Sequence, residues 1–295
     1  MRNRKRIAAI FILLLTFFIG TSTWAGDNKN KKPKRIGILL VAFGSSLPEA
    51  QVSFKNIDRK VKAAFPGLPV RWAYTSSMIR KKLAKQGKHL DSPKGALTKM
   101  SKEGFTHVAV QSLHTISGKE YNELLRSVRR FDESGGLERI RVGHPLLFTQ
   151  EDMGKMTKAL LENIPEERKK GDGVVFMGHG THHPSNAFYA ALMFQIQRKD
   201  PNVFIGTVAG YPQIEDIKKM LLEKKIEKAY LMPLMSVAGD HARNDMAGDD
   251  EKSWVSILTK IGIECIPILK GTAEYDNVVD IWIDHLRGAL SRIRS

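Results

Sequence analysis

The sequence predicts an α/β protein of two similar domains, each a four-stranded parallel sheet flanked by helices, with a cleft between them. Three observations predict it. Short runs rich in Val, Ile and Leu alternate with longer segments of helical periodicity, the pattern of βα units around a parallel sheet. The runs number eight and divide four and four about the charged stretch Pro165 to Gly173. Segments at the ends of corresponding runs match between the halves, in the same order, as a duplication requires.

At the N-terminus, Arg2, Arg4, Lys5 and Arg6 precede an apolar run from Ile7 to Ile19 and the small-residue end Thr23-Trp24-Ala25. That order is a secretory signal peptide over residues 1–25. The apolar run is shorter than the roughly 20 residues of a bilayer-spanning helix. The expectation is therefore a periplasmic chain with no stable membrane span after cleavage. Residues 26–34 are polar and lysine-rich, a flexible basic leader.

An N-terminal α/β domain is expected over 35–148, with strands at 35–43, 69–74, 106–113 and 139–143. A connecting helix from about Gln150 to Asn163 and a linker fill 149–172. The C-terminal α/β domain spans 173–270, with strands at 173–178, 202–208, 228–234 and 263–268. The amphipathic stretch Tyr275 to Ile293 supplies a closing helix within 271–295.

The internal matches place the chemistry. Ala42-Phe43-Gly44-Ser45 corresponds to Gly178-His179-Gly180-Thr181, and Ala73-Tyr74-Thr75-Ser76 to Thr207-Val208-Ala209-Gly210. Leu113 to Glu120 corresponds to Leu234 to His241, sharing a central glycine. All three segments lie at the carboxyl ends of strands, where open parallel sheets bind ligands. The copies differ tellingly: Phe43 becomes His179, and Glu120 becomes His241. Two convergent imidazoles suit divalent cobalt, iron, nickel or zinc, and leave coordination positions open. Within His179-Gly180-Thr181-His182-His183, the last two are expected as cap or substrate contacts, because Pro184-Ser185-Asn186 reads as a helix start. His89 and His107 fall outside the repeated loops and read as surface residues.

Composition narrows the partners. Cys265 is the only cysteine, which excludes intramolecular disulfides and cysteine-ligated clusters. The formal charge is +16, and 16 less the four signal-peptide cations leaves +12, a surplus that favours anionic partners. No nucleic-acid module is recognisable, so no nucleic acid is expected. The sequence leaves open whether the chain forms a homo-oligomer.

The segments LLVAFGSS (39–46), QSLHTISGKEY (111–121), FMGHGTHH (176–183) and LMPLMSVAGDHARNDMAGDD (231–250) resemble those of the anaerobic sirohydrochlorin cobaltochelatases, class II chelatases related to the ferrochelatases. The resemblance runs from Ile36 to the final helix. It implies a pair of α/β domains holding an anionic tetrapyrrole between them, with His179 and His241 as metal ligands and catalytic residues. The metal substrate would be Co2+, with Fe2+ the alternative. Insertion removes two pyrrole protons and needs no redox cofactor or nucleotide. Histidine can both ligate the ion and accept protons near neutral pH, and Glu120 is the candidate second proton acceptor. Ser45, His114, His182 and Arg243 are expected around the substrate, with Arg80 and Lys81 as further carboxylate contacts.

One departure stands out. Where the family pattern places a glutamate beside the two histidines, in a segment V-E-x-Y-P, this chain has Val208-Ala209-Gly210-Tyr211-Pro212. A second function class fits that change and the signal peptide: an exported metal- or tetrapyrrole-binding protein without chelatase turnover. A metal-dependent hydrolase built on His179, His182 and His183 is a third. A tetrapyrrole-handling fold also suggests haem bound by His89 at a subunit contact.

Overall fold

The computed structural model describes residues 33–294, so the expected signal peptide (1–25) and residues 26–32 of the expected leader lie outside the described residues. Lys34–Ser295 forms one compact unit. The first half runs β1 (Ile36–Ala42), α1 (Gln51–Ala64), β2 (Val70–Tyr74), α2 (Ser77–Ala84), α3 (Pro93–Lys102), β3 (His107–Ser112), α4 (Lys119–Glu133), β4 (Arg139–Gly143) and α5 (Gln150–Glu162). The second runs β5 (Gly173–Gly178), α6 (Ala187–Gln197), β6 (Val203–Thr207), α7 (Ile214–Glu223), β7 (Lys228–Leu234), α8 (Trp254–Thr259), β8 (Glu264–Pro267) and α9 (Asp276–Arg294). All eight expected strands are present.

The strands form two four-stranded parallel sheets of identical topology, β2-β1-β3-β4 and β6-β5-β7-β8. Register supports the duplication and corrects one match. Ala42 pairs with Tyr74, and its counterpart Gly178 pairs with Thr207. The second match therefore slides by one residue, and Ala209 corresponds to Ser76 rather than Thr75. Hydrogen bonds agree: the Ser76 amide donates to Phe43 O at 3.1 Å, and the Ala209 amide donates to His179 O at 2.9 Å. Alignment by small residues alone could not resolve this, because turn residues carry no register.

Alternation along β1 assigns its two faces. Leu39 and Val41 pack into a core with Leu97 and Met100 of α3 and with Leu124, Val128 and Phe131 of α4. Ile38, Leu40 and Ala42 belong to a larger core that is continuous with the second sheet. α4 holds its position because Tyr121, Leu124, Val128 and Phe131 recur at helical spacing, and all four are buried. α9 crosses back to the first sheet, packing on β3 and β4. A side chain at Gly143 would meet the His285 backbone carbonyl at 3.2 Å, so the close approach of α9 to β4 requires glycine there.

Around the end of β4, sequence reading overlooked a buried cluster. His285 Nε2 lies 2.9 Å from Asp152 Oδ1, and its Nδ1 lies 3.2 Å from the His144 carbonyl. Asp152 also accepts from the amides of Phe148 and Thr149, completing the capping box of α5. Burial acts to raise the Asp152 carboxyl, but the Thr149 and His285 hydrogen bonds outweigh it and hold the carboxyl below its ordinary range.

Candidate functional site

β5 delivers His179 one residue past its end, and the following Gly180 turns the chain with φ +74°. Gly44 has φ +108° at the equivalent place, so both copies use a positive-φ glycine after the strand. The turn brings the Gly180 carbonyl back to His179 Nδ1 at 2.8 Å. Nδ1–H donates there, which leaves Nε2 with a free lone pair.

His241 opens a π-helical turn, His241–Met246, a form that recurs at functional sites. Its Nδ1 is hydrogen-bonded to Asp245 Oδ2, one helical turn on. The two imidazole rings stand edge to face, with centroids 4.8 Å apart and planes at 77°. Both therefore engage Nδ1 with an acceptor and keep Nε2 for a ligand, the arrangement of metal-binding histidines. His179 is exposed and His241 half-buried, so an ion can reach them. Among the described residues, no cluster of three or more His, Cys, Asp or Glu side chains is arranged to hold a metal. The pair stands with Ala209, not a carboxylate, hydrogen-bonded to the His179 backbone.

The first half contributes Glu120 and His114. Glu120 sits in the first turn of α4, where a negative charge is favourable. Its charge is felt by His114 and by Tyr189 of α6, whose phenol is hydrogen-bonded by the Gly180 backbone. His114 lies between Ser112 Oγ at 2.9 Å and Thr75 Oγ1 at 3.3 Å. Burial pushes its pKa down to about 4, with Glu120 opposing, so the ring is neutral at neutral pH.

The loops of the halves interlock near the site. A side chain at Gly239 would lie 3.7 Å from Ser45 Oγ, and one at Gly118 would lie 3.6 Å from Ser185 Oγ. Ser45 is buried against the loop that leads to His241, so it supports that loop. Arg243 follows His241 by two residues, and its buried Nε has no hydrogen-bond partner among the described residues.

His183 takes the capping role expected of it, whereas Arg80 and His107 fall differently from expectation. His183 caps the turn Pro184–Asn186, accepting from the Ser185 amide at 3.2 Å, and its Nε2 lies 3.3 Å from Asn122 Nδ2. Both its nitrogens are occupied, so His179, His182 and His183 do not form a three-histidine metal site. His182 is exposed. Arg80 donates to the carbonyls of Tyr74 and Thr75 at 2.6 and 2.9 Å, tying down the end of β2. His107 is buried, with Nδ1 2.9 Å from Thr106 Oγ1; the expected surface position fails because β3 is covered on both faces. His89 is exposed, beside a shallow depression lined by Ser77, Arg80 and Lys81. Asp245 escaped sequence reading. Its signal was the four-residue spacing from His241, the distance at which helical side chains meet.

Residues 36–291 match the family model described as cobalt chelatase (CbiK). A sirohydrochlorin cobaltochelatase of Nitratidesulfovibrio vulgaris is 47% identical over 257 residues, covering 87% of this chain and 91% of that protein. A second, of Salmonella typhimurium, is 36% identical over 258 residues, covering 86% and 96%. Among solved structures, the sirohydrochlorin chelatase SirB of Bacillus subtilis in complex with cobalt superposes with a TM-score of 0.59 at 14% identity, covering 88% of this chain and 97% of that one. At that identity the likeness is one of fold.

Proposed function

Because the chain belongs to the CbiK family of cobalt chelatases, we propose that it inserts Co2+ into sirohydrochlorin, a step of cobalamin-type tetrapyrrole synthesis. The observation that carries the reading is the pair of imidazoles 4.8 Å apart with both Nδ1 atoms engaged. His179 and His241 take the ion through Nε2. Two protein ligands leave the other positions to water and to the incoming pyrrole nitrogens, so the ion can be handed over.

Insertion releases two protons for each Co2+ bound. The imidazoles accept protons once the ion has left them, and Glu120 serves as the second acceptor from the opposite half. Substrate carboxylates are met by Arg243, whose Nε lacks a partner among the described residues, and by the exposed His182. His114, neutral and held by two hydroxyls, lines the first-half side of the cleft. Fe2+ is the second metal that two imidazoles accommodate.

Mixing the protein with Co2+ and sirohydrochlorin under anaerobic conditions and following the absorbance change tests the reading. Acceleration over the uncatalysed rate is expected. None, in this chain and in Ala209→Glu alike, would overturn it. The alternative of a binding protein without turnover is less favoured, since the relatives from Nitratidesulfovibrio vulgaris and Salmonella typhimurium are named as chelatases.

Export rests on residues 1–25 alone; cell fractionation that finds the chain in the cytoplasm with its leader intact would remove it. Haem at His89 is supported by that residue's exposure beside two cations. A missing Soret band after haem addition would dispose of it.

A further inference from the structure

The two metal-site imidazoles are held by different acceptors. His179 donates to a neutral backbone carbonyl, Gly180 O. His241 donates to a carboxylate, Asp245 Oδ2. The π-helical turn makes the second contact, placing position 245 beside position 241 while Met246 and Ala242 are buried beneath. Among the described residues, Asp245 has no other hydrogen-bonded or ion-paired partner in the structure. It is also the carboxylate that touches the histidine pair, since Ala209 occupies the neighbouring loop.

We propose that Asp245 is a positioning residue for metal insertion: it holds His241 with Nδ1 protonated and Nε2 bare toward the ion, and its charge strengthens that nitrogen as a donor. The role rests on the chelatase reading above, but part of it is visible without turnover. An imidazole left free divides its proton between both nitrogens, and the Nε2–H form cannot ligate. A carboxylate behind the ring removes that form and adds negative charge near the ion, the effect of outer-shell carboxylates in zinc proteins. The π-helical turn fixes ring orientation as well as tautomer. His241 is therefore the stronger donor of the pair, and His179 the one that releases the ion more readily.

The test uses the full chain and the variants Asp245→Asn and Asp245→Leu, each checked for folding by urea titration. Selective 15N labelling of histidine reads the ring tautomers in metal-free protein. The wild type is expected to show His241 with Nδ1–H. Asp245→Leu shifts it toward Nε2–H, and Asp245→Asn retains Nδ1–H through its amide oxygen. Co2+ affinity, followed by its visible d–d absorption, falls about 10- to 100-fold in Asp245→Leu, the range for lost outer-shell partners. It falls less in Asp245→Asn. An unchanged His241 tautomer in Asp245→Leu, or equal Co2+ affinity in all three proteins, overturns the proposal. Failure of the chelatase reading looks different: the tautomer and affinity changes appear, but wild type does not metallate sirohydrochlorin.

Discussion

The rings of His179 and His241 meet edge to face at 4.8 Å, one carried by the end of β5 and the other by the π-helical turn after β7. If one ion bridges them, the two act as a unit and their losses do not add. His179→Ala and His241→Ala should each abolish stoichiometric Co2+ binding in equilibrium dialysis, and the double variant should be no worse. Half-strength binding in either single variant would show that the residues hold metal separately.

Ala209 is expected to be a gain-of-function position. Its amide is fixed to His179 O at 2.9 Å, so a longer side chain starts beside the metal pair. Ala209→Glu should tighten Co2+ about tenfold, roughly 1.4 kcal/mol, and raise kcat for insertion. Weaker binding with unchanged folding would mean that the loop cannot aim a carboxylate at the site.

Glycine 180 should be irreplaceable for steric reasons. It has φ +74°, and an added Cβ would lie 2.7 Å from both Gly210 N and Thr207 Cβ. Gly180→Ala should cost about 1–3 kcal/mol and lose Co2+ binding, since the same residue anchors His179. Gly135→Ala is the control, because Gly135 has φ +71° with nothing within 4 Å of the added carbon. Equal effects in the two variants would refute the packing argument.

Acid should weaken the fold through His114. Its folded pKa is pushed down to about 4 from an ordinary 6.5, so the ring contributes stability that is complete above 6.5. Between 6.5 and 4 the unfolded chain takes up a proton that the folded chain refuses, and stability falls as pH drops. At ~1.4 kcal/mol per unit the loss is at most ~3.5 kcal/mol. Urea midpoints over this range should flatten in His114→Asn, which can still meet Ser112 and Thr75. An undiminished slope in that variant would assign the effect elsewhere.

His285→Leu should destabilise the protein by about 3 kcal/mol, the cost of stranding one member of a buried pair. His285 and Asp152 side chains are 11% and 5% exposed. Because Asp152 is held below its ordinary pKa, its contribution is present above that value and fades as pH falls through the lowered one. The variant should therefore lose most of its deficit in strong acid. A deficit that persists unchanged there would point to packing alone.

Strand positions were legible because each is an apolar run closed by turn residues, as in GVVFMG before His179. The histidine pair was legible because duplication exposes what one copy has gained. Register was not, and the slip at Ala209 followed from matching a loop instead of a ladder. Nor was the Asp152–His285 pair, whose members are separated by most of the second half and meet only through the return of α9. Asp245 lay within a motif already singled out, but a π-helical turn has no sequence signature of its own, so the hydrogen bond to His241 needed coordinates.

α9 covers β3 and β4 although it follows every strand in the sequence. During synthesis, the ribosome releases all four strands of the first sheet long before the helix that seals one of its faces. The usual order, in which an N-terminal domain completes itself while the rest is still being made, is closed to this chain. Its first sheet waits, partly uncovered, for α9. A stop codon just after β8 would therefore damage the half of the molecule farthest from it in sequence.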